Sequence, residues 1–285
     1  MQDKFRIGTR KSRLALRQTQ LVQEALEKAC PELKTELVPF HTRGDKILDQ
    51  PLWEIGSKGL FASEFEEMIL RGEIEVDVHS GKDLPLFLAQ ELSILGVLKR
   101  GDPRDVLVMP KGRRAKECAV IGTGSLRRQE FAARVFPWAE CRLIRGNVFT
   151  RLEKMNAGEY DGIILAKAGL DRLGITEADG YSFRILTTEE FLPAACQGII
   201  VTEGREEWRS LIEKTNDKET AVVFETERAV LTLLNADCSE PAAAYAELSQ
   251  GEIWLRAMYG KKFAEGRAPR ENRFGLAEDV VRRLK

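Results

Sequence analysis

The sequence predicts an α/β protein with largely parallel sheets, followed by a smaller α+β segment at its C-terminal end. Three observations lead there. Short apolar runs alternate with stretches of helical periodicity through most of the 285 residues. Three of these runs pass into a Gly/Ser/Thr/Asn turn and then an amphipathic helix with a cationic first turn. The last part carries a helix before two adjacent strands.

Taken in order, Phe5–Gly8 is an apolar strand whose exit opens a helix over Arg13–Cys30. Thr35–Phe40, Ile74–His79 and Ser93–Leu98 read as strands, with helical periodicity over Phe61–Arg71. Arg100-Gly101-Asp102-Pro103-Arg104-Asp105 is a polar break. Beyond it come strands Val106–Met109, Cys118–Ile121, Cys141–Ile144 and Gly162–Ala166. Helices are expected over Leu126–Phe136 and Val148–Asn156, and Ala168–Gly174 is a helix with its stop. Leu192-Pro193-Ala194 marks a second crossing and Asn216-Asp217 a third. A helix over Ala221–Leu234 precedes strands Ala243–Leu248 and Glu252–Met258. The simplest partition is residues 1–99 with 194–215, residues 100–193, and residues 216–285. No internal repeat of fixed period is visible.

Composition narrows the function. A formal net charge of -1 makes the basic clusters local, which argues against nucleic-acid binding by bulk electrostatics. The polar start, Met1 to Arg6, has no apolar signal region, and no run approaches the about 20 apolar residues that span a bilayer. A cytoplasmic protein without a membrane partner is expected. The five cysteines are widely spaced with no Cys-x-x-Cys, so neither a disulfide framework nor a zinc site is indicated. With two histidines, a His-based metal centre or a Ser-His-Asp triad is not expected, and acid/base work falls to a carboxylate or a lysine.

The three cationic turns carry the chemistry. They contain Arg10, Lys11, Ser12 and Arg13; Thr123, Gly124, Ser125, Arg127 and Arg128; and Arg145, Gly146, Asn147 and Arg151. A helix N-terminus holds roughly half a positive charge, so arginine there costs a few tenths of a kcal/mol. The sign reverses if an anion sits before the turn. Three such sites point to a cleft for a substrate bearing several carboxylates or phosphates; solvated arginines are the plain alternative. Val76–Pro85 is a strand entering a polar turn that leaves Lys82 and Asp83 at its exit. A carboxylate facing cations acts either as a counter-ion or as stabiliser of a cationic intermediate and proton acceptor. His79 reads as a structural strand-end residue. Gly56 and Gly59 read as hinges of a mobile loop that includes Lys58 and Phe61. Arg172 either joins the anion site or favours its helix C-terminus, and the sequence does not separate the two. Cys238 sits on a turn after a long helix; spacing alone does not select it over Cys196.

Thr9-Arg10-Lys11-Ser12, Thr42-Arg43-Gly44-Asp45, Ser57-Lys58-Gly59-Leu60-Phe61, the Val78–Pro85 turn, Asp102-Pro103-Arg104-Asp105, Gly122–Gln129, Arg145–Arg151, Ala168–Gly174 and Pro193–Gly198 occur in one order. That order resembles the porphobilinogen deaminase (hydroxymethylbilane synthase) family from about residue 4 to about residue 259. The resemblance implies two periplasmic-binding-protein-like domains with a cleft between them, plus a small α+β domain carrying a dipyrromethane cofactor on a cysteine. It implies condensation of four porphobilinogen molecules, each bearing an acetate and a propionate, with loss of ammonia at each step, by a monomer that uses no metal. Asp83 matches the family's catalytic carboxylate, which stabilises the azafulvene cation formed on deamination. Cofactor contacts are implied at Lys82, Ser80, Thr123, Ser125, Arg127, Arg128, Arg145 and Gly146, with attachment at Cys238. Substrate contacts are implied at Arg10, Ser12, Arg151, Arg172 and Gln197.

The chain also departs from the family pattern. Gly81 stands where a large apolar residue is usual, Gly124 where serine is, and Cys196 where glycine is. Ala236-Asp237 replaces the glycine pair before the attachment cysteine, and the C-terminal domain is shorter. The competing reading is a non-catalytic binder of small polycarboxylates on the same framework.

Overall fold

The computed structural model describes residues 4–40, 63–236 and 241–285. The first sheet is built from β1 (Phe5–Arg10), β2 (Thr35–Phe40), β3 (Val76–Ser80) and β4 (Leu92–Val97). Helices α1 (Arg13–Ala29) and α2 (Ser63–Leu70) connect them, and a single 3-10 turn, Gly81–Asp83, follows β3. Helix α1 buries Gln18, Thr19, Val22 and Leu26, the face that a 3.6-residue period turns to the sheet.

The second sheet comprises β5 (Asp105–Pro110), β6 (Val120–Gly122), β7 (Glu140–Arg142), β8 (Gly162–Ala166) and β9 (Tyr181–Ile185). Its helices are α3 (Leu126–Val135), α4 (Val148–Asn156) and α5 (Lys167–Leu173). Gly174 ends α5 in the left-handed conformation, where the sequence places the stop. The chain then returns as β10 (Ile200–Arg205), passes the short α6 (Arg209–Ile212) and enters α7 (Lys218–Leu234). A three-stranded antiparallel sheet, β11 (Ala242–Ser249), β12 (Glu252–Tyr259) and β13 (Lys262–Pro269), and helix α8 (Arg273–Leu284) complete the fold.

The two large sheets share one strand order. The first runs β2-β1-β3-β10-β4 and the second β7-β6-β8-β5-β9. In each, three strands pair in parallel and the fourth position is taken by a strand antiparallel to both neighbours: β10 in the first, β5 in the second. The expectation of largely parallel sheets is therefore corrected. Half of the pairings are antiparallel, because β5 and β10 each enter directly from a crossing and not through a helix. The turns after β1, β3, β6, β7 and β8 are the strand-to-helix exits, where α/β folds place ligands.

The crossings are clamped from α7. Glu227, with no exposed surface, accepts from Arg100 Nη1 at 2.6 Å, the Cys196 backbone N–H at 2.6 Å and the Ala246 N–H at 2.7 Å. One carboxylate thus joins both crossing segments to the third sheet. Among the described residues no helix is long and apolar enough to cross a membrane.

Candidate active site

The cationic turns are capped as their sequences dictate. Ser12 Oγ accepts from the Ala15 N–H at 3.2 Å, Ser125 Oγ from Arg128 N–H at 3.4 Å, and Asn147 Oδ1 from Thr150 N–H at 3.1 Å. None of α1, α3 and α4 has an acidic residue in its first turn. Gly146 adopts φ 114°, and a Cβ there would lie 2.8 Å from the Thr150 side chain, so this turn needs glycine.

These exits meet those of the other sheet. Arg13 lies over the Phe149 ring at 4.4 Å, and Arg172 Nη2 donates to the Gly198 carbonyl at 2.5 Å. Half-buried Lys82 donates to Gln197 Oε1 at 3.3 Å, while Gln197 Nε2 donates to the Pro103 carbonyl at 2.7 Å and to Asp105 at 3.1 Å. Ser80 Oγ accepts from Gln18 Nε2 at 2.8 Å, which fixes the start of the Lys82–Asp83 turn against α1. Asp83 is exposed at that turn, and no hydrogen bond or ion pair ties it to a described residue. Thr123 is fully buried at the end of β6, and Arg10 ends β1 half-buried. A cavity of about 750 Å³ lined by Ile94, Phe224, Arg228 and Phe274 lies between β4, α7 and α8, away from these turns.

Asp105 organises the centre. It is fully buried at the head of β5 and accepts from Arg127 Nη2 at 2.6 Å and from Arg128 Nη2 at 2.7 Å. Although burial opposes ionisation, the two guanidinium groups hold its carboxyl down to about 2. Arg127 also donates to the Leu192 carbonyl at 2.6 Å and Arg128 to that of Ile164 at 2.9 Å. A guanidinium has five N–H donors, so each arginine retains some for a ligand. The sequence reading took Asp105 as part of a linker; the signal was a charged residue opening an apolar strand. Asp105→Asn should cost about 3–5 kcal/mol, because it leaves buried cations without their counter-charge. Chemical denaturation reads this loss, and a change below ~1 kcal/mol would contradict it.

Further out, Arg151, Arg172 and Lys82 form no ion pair among the described residues. Arg151 donates through Nε to the Gly146 carbonyl at 2.7 Å, and among the described residues it forms no ion pair. Burial, with Arg128 and Arg145 nearby, pushes its guanidinium down to about 10, and among the described residues Asp83 alone acts the other way. Burial likewise pushes Arg172 down to about 10 and lowers Arg145. Lys82 is pushed down to about 8 by burial first, and by Arg128 and Arg127 against the opposing pull of Asp83 and Asp105. Such a cluster is costly alone and is relieved by carboxylates.

Two departures from the family pattern prove to be neighbours. Cys196 is buried and adopts φ 61°, in the left-handed region. A Cβ at Gly81 would lie 3.0 Å from Cys196 Cβ and 3.3 Å from its carbonyl oxygen. A side chain at 81 would crowd the one at 196, so the glycine makes room for the cysteine. Gly56, Lys58, Gly59, Phe61 and Cys238 lie outside the described residues.

Fold and site together define a two-lobed α/β protein whose strand exits gather cations around one exposed carboxylate. A family model described as porphobilinogen deaminase, dipyromethane cofactor binding domain, matches residues 5–213, and one described as porphobilinogen deaminase, C-terminal domain, matches residues 221–273. The chain belongs to the porphobilinogen deaminase family. It is 43% identical over 261 residues to porphobilinogen deaminase of Acetivibrio thermocellus, covering 91% of this chain and 88% of that protein. It is 42% identical over 258 residues to that of Alkaliphilus oremlandii, covering 90% and 86%. Among solved structures, the periplasmic aliphatic sulphonate binding protein SsuA from Escherichia coli is similar at TM-score 0.44 and 13% identity, covering 82% of this chain and 71% of that one.

Proposed function

We propose that this chain is a hydroxymethylbilane synthase, a transferase of tetrapyrrole (haem and porphyrin) biosynthesis. It condenses four porphobilinogen molecules head to tail and works as a cytoplasmic monomer. Its domains are residues 1–99 with 194–215, residues 100–193 and residues 216–285. The observation that carries the reading is Arg151: a half-buried guanidinium beside Arg128 and Arg145 that has, among the described residues, no ion-pair partner and only the Asp83 charge in its favour.

A dipyrromethane brings two pyrroles, hence four carboxylates, and the residues present fit it. Lys82, Arg127, Arg128 and Arg145, with Thr123, Ser125 and Gly146, would hold those groups, and Cys238 would carry the attachment. When bound, the group supplies a free pyrrole α-carbon on which the chain grows. Arg10, Ser12, Arg151, Arg172 and Gln197 bind the incoming substrate's acetate and propionate. Asp83 holds the pyrrole N–H and offsets the positive charge that develops as the substrate's C–N bond breaks and ammonia leaves. Its carboxylate oxygen then accepts the proton released when the new C–C bond has formed.

Purified protein given porphobilinogen should release a product with the mass of four substrates, less four ammonia, plus one water. Binding without any such product would favour the polycarboxylate binder instead.

Two further outcomes test the anion cluster. Arg151→Met should raise KM by roughly tenfold or more, because each desolvated Arg–carboxylate contact is worth about 2–5 kcal/mol when one partner is removed. The same substitution should leave the denaturation midpoint unchanged or higher, since it removes a buried cation lacking an ion-pair partner. A lower midpoint with unchanged KM would make Arg151 structural. The second outcome concerns pH. Lys82 titrates at about 8 in the folded chain against 10.5 normally, so its charge costs stability at neutral pH, and that cost fades as pH rises between those values. A bound carboxylate favours the ammonium, so binding above pH 8 takes up a proton and affinity falls as pH rises. KM should climb through this range in the natural enzyme and stay flatter in Lys82→Arg.

A further inference from the structure

A second cluster of ligating side chains lies beneath the Ser80–Asp83 turn. Asp77 and His79 are two residues apart on β3 and point to the same face of the sheet. Glu203 on β10 stands directly opposite Asp77 in the strand register. One ligand atom from each lies within 4.8 Å of the others. His79 Nε2 contacts Asp77 Oδ2 and lies 3.7 Å from Glu203 Oε2. The three residues are 1%, 8% and 0% exposed for Asp77, His79 and Glu203. Among the described residues neither carboxylate oxygen of Glu203 has a hydrogen-bond partner, and Asp77 and His79 Nε2 have only each other. Phe65 of α2 closes over the cluster, edge-on to the His79 ring at 6.0 Å between centroids.

This arrangement is unfavourable as it stands. Two carboxylates directly opposite on paired strands repel, and dry burial magnifies the cost. Hydrophobic neighbours offer no relief, and the one imidazole lies against both acids.

We propose that Asp77, His79 and Glu203 form a binding site for one divalent metal ion of the zinc class, held between β3 and β10 by one imidazole nitrogen and two carboxylate oxygens. A dication cancels the two negative charges, and this donor set is one that Zn²⁺ takes at roughly 2.0–2.2 Å. Tetrahedral ligation at that distance sets ligand atoms about 3.3 Å apart, near the 3.7 Å His79–Glu203 separation, and requires the Asp77–His79 contact to open by roughly 1 Å. The low histidine count argued against a His-based centre, but one histidine suffices beside two carboxylates. The ion is structural: it ties β3 to β10 where β3 runs into the Lys82–Asp83 turn, and it touches no reacting atom. The site does not depend on the proposed reaction.

The test uses the full-length protein, stripped with a chelator and titrated with Zn²⁺ by calorimetry and with Co²⁺ by visible absorption. The expected result is one equivalent bound, a Co²⁺ ligand-field band without thiolate charge transfer, and a rise in Tm on metal addition. Asp77→Asn and Glu203→Gln keep shape and remove repulsion, so they should fold by circular dichroism. Each should weaken binding by roughly tenfold or more. Binding that survives both substitutions, or a thiolate band, overturns the proposal. No Tm response to metal, together with an apo Asp77→Asn protein more stable than the apo natural chain, overturns it too and assigns the cluster to proton sharing.

Discussion

Asp83→Asn is expected to lower turnover by at least about 100-fold, some 3 kcal/mol of transition-state stabilisation, with the fold intact. The substitution keeps the side chain's size and removes the one negative charge among the described residues that acts on Arg151. Asp83 is exposed and has no hydrogen bond to a described residue, so the fold has little stake in it. The substitution also removes a charge that supports protonated Lys82, so residual activity should fall off at lower pH than in the natural enzyme. Steady-state rates with circular dichroism decide the matter. Retention of more than about a tenth of natural turnover, under ~1.4 kcal/mol, would exclude Asp83 as the key group.

Cys238→Ser is expected to give protein without the cofactor's added mass and almost without activity, whereas Cys196→Ser keeps both. The argument is partly one of access. Cys30, Cys118 and Cys196 are buried and Cys141 is partly so. Burial pushes the thiols of Cys118 (to about 11), Cys141 and Cys196 up, which starves them of thiolate, the nucleophilic form. Cys196 is further committed, since its Sγ lies 3.7 Å from the Phe224 carbonyl. On the other side, α7 ends at Leu234 with Asn235 in the left-handed conformation, and β11 begins at Ala242, so Cys238 falls in the connection. Leu84, next to Asp83, shares a buried cluster with Leu234 and Ala236, which ties that connection's start to the same core as the Lys82–Asp83 turn. Intact mass and peptide mapping read the result directly. An adduct on Cys196, or none on active natural protein, would refute the assignment.

What the sequence made legible was local. The sequence located β2, β8 and α4 to the residue, because each has a sharp boundary. The cationic turns were visible because arginine in a first helical turn conflicts with the helix dipole, and conflict of that kind marks a ligand. β13 escaped notice: it is an edge strand, exposed along alternate residues and rich in charge. β10 was absorbed into the crossing, since Ile199–Val201 is a short apolar run between Gly198 and the polar Thr202-Glu203. Strand direction has no periodic signature, which is why the antiparallel insertions of β5 and β10 were not foreseen. Asp105 and Glu227 were hidden for a related reason. Asp105 meets partners 22, 23 and 92 residues away, and Glu227 meets Arg100 at a separation of 127. Nothing local announces a contact of that range.

The exchange of central strands also dictates an order of assembly. The second sheet is drawn from one continuous stretch, Asp105 to Ile185, and can close by itself. The first cannot. Among the described residues β4 pairs with β10 alone, so until Ile200–Arg205 has left the ribosome β4 lacks that neighbour and β3 lacks its partner on that edge. The middle of the chain therefore closes before its beginning, and the N-terminal strands wait through about a hundred residues of synthesis, several seconds at cellular elongation rates. During that interval the open β3 edge is a site for misassociation.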